Sequence, residues 1–143
     1  MATQTKPRKR SATTKAPSRR TAIRMTCRKA EADPYGKDQH EAGAKLDAGK
    51  VRLGLVLSGF PRALKAVGAV GTYGAAKYTD NGWKEVPDGA ARYTDALYRH
   101  MMDEAAGERN DLESNILHSA HAAWNALARL ELYLLEQESD AVQ

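Results

Sequence analysis

An apolar stripe near the end of the chain limits the possible folds more than any other feature. Apolar residues recur at steps of three and four along residues 114–137, at Leu117, Ala120, Trp124, Leu127, Leu130 and Leu134. This is the spacing of one helix face, so we predict a helix from about Ser114 to Gln137 with the stripe buried. Because so long a helix needs other helices to cover its face, the sequence predicts an all-α bundle.

Two further segments have helical patterns. One runs from about Pro61 to Tyr78, with Pro61 in a first-turn position. The other runs from about Gly89 to Ala106, and Gly107 is placed to stop it. The five glycines within residues 31–59 indicate an irregular lead-in. Three helices leave much apolar surface in so short a domain, so we expect a compact bundle completed as a homo-oligomer, a dimer or a tetramer.

Charge is distributed unevenly along the chain. Residues 1–30 hold ten of the 22 lysines and arginines and none of the 18 acidic residues, so the remainder carries a net charge of −6. Because this segment has few large apolar residues, we expect residues 1–30 to be a disordered basic tail and residues 31–143 to be the helical domain. Two interpretations of the tail remain open: non-specific nucleic-acid binding through phosphate contacts, and a solubilising extension.

Composition excludes several other classes of protein. The single cysteine, Cys27, rules out an internal disulfide. No apolar run approaches about 18 residues, so no membrane-spanning helix and no membrane partner is expected. The basic N-terminus lacks the apolar segment of a secretory signal. We therefore expect a cytoplasmic protein whose core is held by packing, by metal or by partner subunits.

Residues 107–125 are dense in metal-binding side chains. Three carboxylates precede two imidazoles and a carboxamide that share one helix face, namely Glu108, Asp111, Glu113, His118, His121 and Asn125. Carboxylates near imidazoles suit a divalent cation such as Mg²⁺ or Mn²⁺. We predict Glu108 and Asp111 as ligands. Glu113 and His121 are expected to bind the ion directly or through its ligands. Glu104 is a weaker candidate, because a solvent-facing position is the favoured interpretation for it and for Asp103.

Two other segments present groups that suit a nucleotide. The glycine-punctuated loop of residues 43–53 carries Lys45, Lys50 and Arg52, which suit a phosphate, although a surface loop with solvated charges is the favoured interpretation. The segment of residues 73–83 ends the first helix with a cluster that suits stacking on a nucleobase, and equally suits aromatic packing in the core. This cluster consists of Lys77, Tyr78, Asn81 and Trp83.

These motifs together resemble a known family. From about residue 45 to residue 135 the chain is similar to the phage-associated dATP/dGTP diphosphohydrolases, within the MazG-like all-α NTP pyrophosphohydrolases. The matching segments are residues 45–53, residues 73–78 with Asn81 and Trp83, Arg92-Tyr93 with Arg99-His100, and residues 107–114 with His118, His121 and Asn125. The wider superfamily uses two acidic pairs. Here Glu108 and Asp111 form one pair, while His118 and His121 stand where carboxylates are expected.

The resemblance implies hydrolysis of a purine deoxynucleoside triphosphate, dATP or dGTP, to the monophosphate and pyrophosphate. It also implies a Mg²⁺ or Mn²⁺ requirement, a multimeric helical bundle and, if a phage carries the gene, action in the host cytoplasm. The implied catalytic residues are Glu108, Asp111, Glu113 and His121. The implied substrate-binding residues are Lys45, Asp47, Lys50, Arg52, Lys77, Tyr78, Asn81, Trp83, Arg92, His100, His118 and Asn125. Two alternatives remain: a basic-tailed nucleic-acid-binding helical oligomer, and a family member that binds nucleotides without turnover.

Overall fold

The computed structural model describes residues 31–141, which form an all-helical structure. Its helices are α1 (Gly54–Gly59), α2 (Pro61–Lys77), α3 (Gly89–Ala105) and α4 (His118–Ala141), with a 3₁₀ turn at Gly82–Glu85. Residues 31–141 contain no strand, only an isolated antiparallel bridge between Asn110 and Leu117. The predicted all-α bundle of three main helices is therefore confirmed. The predicted basic tail, residues 1–30, lies outside the described residues.

The bounds of the main helices follow from local sequence. Pro61 occupies the first turn of α2, where its missing amide hydrogen costs no hydrogen bond. Gly107 ends α3 with a φ of +102°. Its amide donates to the Glu104 carbonyl at 3.0 Å, and the Glu108 amide donates to the Asp103 carbonyl at 3.0 Å. These two bonds form a Schellman motif, which confirms that Gly107 stops the helix.

Helix α4 is the centre of the bundle. Helix α3 packs along it, and α2 also lies against it. A Cβ atom at Gly71 of α2 would lie 3.2 Å from Nε1 of Trp124, so the glycine allows α2 to approach α4 closely. Among residues 31–141 the buried apolar side chains are small, namely Val70 of α2 and Ala120, Ala122 and Ala128 of α4.

The buried side of α4 differs from the predicted stripe. Leu127 and Leu130 are exposed, whereas His118, His121 and Asn125 are buried. Helix α4 also begins at His118 rather than Ser114. The later start of α4 has a local cause, because Asn115 adopts a left-handed φ of 57° that interrupts the helix. The change of buried side has a tertiary cause, because α2 and α3 cover the polar side of the N-terminal half of α4.

The lead-in is built around one buried carboxylate. Asp33 accepts hydrogen bonds from the backbone amides of Lys45 and Tyr35, both at 2.8 Å, and of Lys37 at 3.4 Å. These bonds, that from Lys45 above all, hold the pKa of Asp33 below its usual value. The prediction of an irregular lead-in is wrong for its last six residues, which form the exposed helix α1. No helix within the described range is long and apolar enough to cross a membrane.

Candidate functional site

Three histidines meet where α3 and α4 come together. His100 lies on α3, and His118 and His121 lie in the first turn of α4. The His100 ring stacks on His121, with centroids 4.5 Å apart and planes at 18°, and its centroid lies 5.1 Å from that of His118. Because every buried polar side-chain atom in residues 31–141 has a hydrogen-bond partner, this polar cluster is a satisfied one.

The partners of His118 assign its protons. Its Nε2 atom lies 3.1 Å from Oε1 of Glu108, and since a carboxylate only accepts, Nε2 carries the proton. In the neutral ring Nδ1 is then an acceptor. It lies 2.9 Å from Nδ1 of His100, which therefore donates. His118 itself is 1% exposed, so the middle of this series of bonds is buried, whereas Glu108 at its end is partly exposed.

A second chain of hydrogen bonds orients His121. Oδ2 of Asp111 accepts from the backbone amide and from the hydroxyl of Ser114, both at 2.8 Å. The Ser114 hydroxyl also lies 2.7 Å from Nε2 of His121. Because the hydroxyl proton goes to the carboxylate, Nε2 of His121 carries a proton and donates to Ser114. In a neutral His121 ring, Nδ1 therefore holds the free lone pair.

Electrostatics favours a charged Asp111 and a neutral His121 at the two ends of this series of hydrogen bonds. Burial lowers the pKa of His121, as it does the pKa of His100, which the neighbouring His121 and His118 lower further. Burial alone would raise the pKa of Asp111. The two hydrogen bonds from Ser114 and the nearby histidines outweigh that effect and hold the pKa of Asp111 below its usual value. The arrangement is therefore a carboxylate, a hydroxyl and a neutral imidazole in series.

The third predicted carboxylate joins a different helix. Glu113 forms an ion pair with Lys77 at the end of α2. The hydrogen bond from Lys77, together with one from Tyr73, lowers the pKa of Glu113, and the same Glu113 bonds raise the pKa values of Lys77 and Tyr73. Glu113 therefore ties α2 to the loop before α4.

Trp83 belongs to an aromatic cluster. Its ring meets those of Tyr93 and Trp124 edge to face, at centroid distances of 6.4 and 5.8 Å, and Tyr93 lies 5.7 Å from Trp124. The Tyr93 hydroxyl donates to the Trp83 carbonyl at 3.0 Å. These contacts favour the packing interpretation of Trp83. Tyr78 differs, since it is 74% exposed and free to meet a ligand.

A cleft of about 990 Å³ opens between α2, the 3₁₀ turn, α3 and α4. It is lined by many of the side chains predicted to bind substrate, together with one predicted catalytic histidine: Lys77, Tyr78, Asn81, Trp83, Arg92, His100, Asn125 and His121. The predicted phosphate loop does not line it, and neither does His118. In that loop Lys45 pairs with Asp47 at 3.3 Å, and Lys50 and Arg52 are exposed. Binding of substrate by Lys45, Asp47, Lys50 and Arg52 stays a prediction.

The predicted metal ligands do not form one donor group. Asp111 is bonded to Ser114, Glu108 to His118 and Glu113 to Lys77, while Glu104 is exposed. Within residues 31–141, the group of three ligand atoms within 4.8 Å of one another comes instead from His100, Asp103 and His118. The catalytic and metal-binding roles assigned from sequence stay predictions.

Several residues of the site were assigned no role from sequence. Ser114, Tyr73 and Asp103 each contact a predicted residue or share its donor group, and Arg99 lines the cleft. Asp103 lies three residues after His100, a spacing that places both on one helix face and could have drawn attention to it. No sequence signal marked Ser114, because its role depends on a loop conformation.

Comparison with known proteins gives one match. The model of the family described as dATP/dGTP diphosphohydrolase, N-terminal, matches residues 40–142. No curated protein and no solved structure matches the chain. The matched range includes all four helices, the cleft and the histidine cluster.

Proposed function

The chain belongs to the dATP/dGTP diphosphohydrolase N-terminal family, and on this premise we propose that it hydrolyses dATP or dGTP to the monophosphate and pyrophosphate. The observation that carries the proposal is the position of His121. This residue lines the cleft, and Ser114 and Asp111 hold its ring in one tautomer. An oriented neutral imidazole beside a cleft is the arrangement that general-base hydrolysis requires.

The cleft carries cationic side chains for a triphosphate. Arg92 and Arg99 line it from α3, and Lys77 lines it from the end of α2. Guanidinium groups pair with phosphate oxygens through two parallel hydrogen bonds, which fixes orientation as well as charge. Because Lys77 is already paired with Glu113, the two arginines are the stronger candidates for the phosphates.

The segment of the cleft wall that follows α2 suits a purine. Tyr78 and Asn81 lie where the chain leaves α2, and both are exposed at the cleft wall. An exposed aromatic ring offers a stacking surface, and a carboxamide offers both a donor and an acceptor for the base edge. Trp83 supports this wall through its packing on Tyr93 and Trp124.

The chemical step uses His121 as the base. A water oxygen attacks the α-phosphorus, and His121 accepts the proton that the water loses. The new P–O bond forms as the bond from the α-phosphorus to the α–β bridging oxygen breaks, and pyrophosphate leaves. Ser114 and Asp111 stabilise the protonated ring, since the carboxylate lies one hydroxyl away from it.

We further propose a divalent cation, Mg²⁺ or Mn²⁺, as a requirement of this reaction. Such an ion neutralises triphosphate charge and polarises the attacked phosphorus. The carboxylates predicted to hold it, Glu104, Glu108, Asp111 and Glu113, are not gathered around one point in the structure. We therefore assign them no part in holding the ion, and the ion of this proposal enters with the nucleotide.

One assay tests the proposed function. The full chain is incubated with each dNTP and each NTP, with Mg²⁺ or Mn²⁺ and with EDTA, and the products are separated by anion-exchange chromatography. We expect deoxynucleoside monophosphate and pyrophosphate in equal amounts from dATP or dGTP, and none with EDTA. Release of inorganic phosphate would contradict the bond assignment. Nucleotide binding without products would favour the family member that binds without turnover.

We also propose that the chain works as a homo-oligomer. Large apolar side chains are exposed on the short helix α1, at the residue that follows it, and on α4 from Leu127 onwards, among them Leu57, Phe60, Leu127, Leu130 and Tyr133. Exposed apolar surface is typical of subunit interfaces where it is extensive. Light scattering coupled to size-exclusion chromatography tests this, and a monomer at micromolar concentration would contradict it.

A further inference from the structure

We infer that His100, Asp103 and His118 form a binding site for a transition-metal ion. One ring nitrogen of His100, one ring nitrogen of His118 and one Asp103 carboxylate oxygen lie within 4.8 Å of one another. The site lies where α3 meets the first turn of α4. This inference goes beyond the proposed hydrolysis and does not depend on it, because it concerns an ion held by the protein without nucleotide.

The spacing of the two nitrogens suits coordination. The two Nδ1 atoms are 2.9 Å apart. Two nitrogens bound at about 2.1 Å to one ion, at a right angle, lie about 3 Å apart, so the spacing of the two Nδ1 atoms matches that of neighbouring ligands. Asp103 lies three residues after His100 on α3, and its exposed side chain has room to turn towards the ion.

The partner of His118 points to the same use. Glu108 holds Nε2–H of His118 from the far side of the ring, which leaves the Nδ1 lone pair facing His100. Histidines that bind metals are commonly oriented by a carboxylate on the second nitrogen. Glu108, predicted from sequence as a ligand, is therefore assigned the role of a positioning residue behind His118.

Proton balance allows the ion to enter. In the metal-free protein, His100 donates its Nδ1 hydrogen to His118. A neutral imidazole carries one proton on either nitrogen, so moving that proton from Nδ1 to Nε2 frees the Nδ1 lone pair of His100 with no net release. His118 keeps its proton on Nε2, bonded to Glu108. Both nitrogen ligands are then available to one cation.

The donor set selects the class of ion. Mg²⁺ and Ca²⁺ prefer oxygen ligands alone, whereas two imidazoles with one carboxylate suit Mn²⁺, Fe²⁺, Co²⁺ or Zn²⁺. Three protein ligands leave further coordination positions for water or another ligand. Because His100 also lines the cleft, the ion would lie at the edge of the cleft.

Cobalt titration without nucleotide tests the inference. The full chain is freed of metal with EDTA, dialysed into excess Mg²⁺ and titrated with Co²⁺, and binding is followed by calorimetry and by the visible absorption bands that report nitrogen ligation. We expect one saturable site per chain whose spectrum differs from that of aqueous Co²⁺. Absence of saturable binding, or a spectrum of oxygen ligands alone, would overturn the assignment.

Two matched substitutions locate the ion. Asp103→Asn removes an exposed ligand and should weaken Co²⁺ binding at least tenfold, whereas Glu131→Gln, a remote exposed control on α4, should not change it. Glu104→Gln should leave Co²⁺ binding unchanged, because Glu104 belongs only to the ligand set predicted from sequence. His118→Gln should abolish the spectrum, with circular dichroism as the check on folding. If Asp103→Asn binds Co²⁺ like the unaltered chain, the inference is wrong.

Discussion

The two halves of α4 reverse the usual relation between polarity and burial. In the N-terminal half, His118, His121 and Asn125 are buried, while in the C-terminal half Leu130 is 53% exposed. Burying polar groups is costly unless each is hydrogen-bonded. Here His118 donates to Glu108, His121 bonds to Ser114, and Asn125 donates to a backbone carbonyl. The polar half is therefore the one that the proposed reaction uses, and the apolar half is the surface on which we propose that a partner subunit binds.

The largest expected effect comes from the polar half. His121→Gln removes the proposed base and keeps a side chain of similar length. We expect turnover to fall by about 10²- to 10⁴-fold, the usual contribution of a general base. Steady-state kinetics on dATP and dGTP measure this effect, and Ser114→Ala should give a smaller loss in the same direction. A His121→Gln protein with unchanged turnover and a normal circular dichroism spectrum would remove His121 from the mechanism.

The aromatic cluster that supports the polar half comes next. Trp83→Ala should lower stability by about 2–4 kcal/mol, because the ring packs on Tyr93 and Trp124. Thermal or urea unfolding measures this loss. The comparison is Tyr78→Ala, which removes an exposed ring and should leave stability nearly unchanged while weakening nucleotide binding. A stable Trp83→Ala protein with weak nucleotide affinity would restore the nucleobase interpretation of Trp83.

A substitution in the apolar half tests the partner surface. Leu130→Asp should weaken self-association on the order of tenfold to a hundredfold, since removing a leucine side chain from water contributes roughly 1.5–3 kcal/mol. The helical content should not change, because Leu130 makes little contact within its own chain. Sedimentation equilibrium over a range of concentrations measures the effect, with Glu131→Gln as the neighbouring control. Equal association of both variants would show that subunits meet elsewhere.

The smallest effect concerns the ion pair that connects α2 to the loop before α4. The pKa of Glu113 is lowered by Lys77 and Tyr73, so its stabilising contribution is full above the ordinary carboxyl value of 4.5 and is lost as the pH falls through the lowered value. The melting temperature should therefore be higher for the unaltered chain than for Glu113→Gln at pH 7. The gap should close on acidification below pH 4.5. A gap independent of pH would show that Glu113 acts by packing.

Much of the fold was predictable because its signals are local. Pro61, Gly107 and the three- and four-residue spacing of apolar residues each act over one or two turns, so they could be recognised without a structure. The start of α4 was misplaced by four residues, because Asp111 and Asn115 form a loop that local helical spacing does not reveal.

The candidate site was predictable only in part. The residues of the cleft wall, such as Tyr78 and Arg92, were found from their motifs and do lie together. The contacts of Ser114, Asp103 and Glu108 with the histidines were not predicted, because these contacts cross a turn or join two helices. Spacing along one helix indicates which side chains share a face, but not which groups of another element meet that face.

The sequence by itself determined the helices, their approximate lengths, the family and the concentration of acidic and imidazole groups between residues 100 and 125. The tertiary structure decided which side of α4 is buried, which nitrogen of each histidine holds a proton, and that Asp103 rather than Glu104 joins the donor group. The physical reason is that helix formation depends on nearest turns, whereas burial and protonation depend on groups that only packing brings into contact.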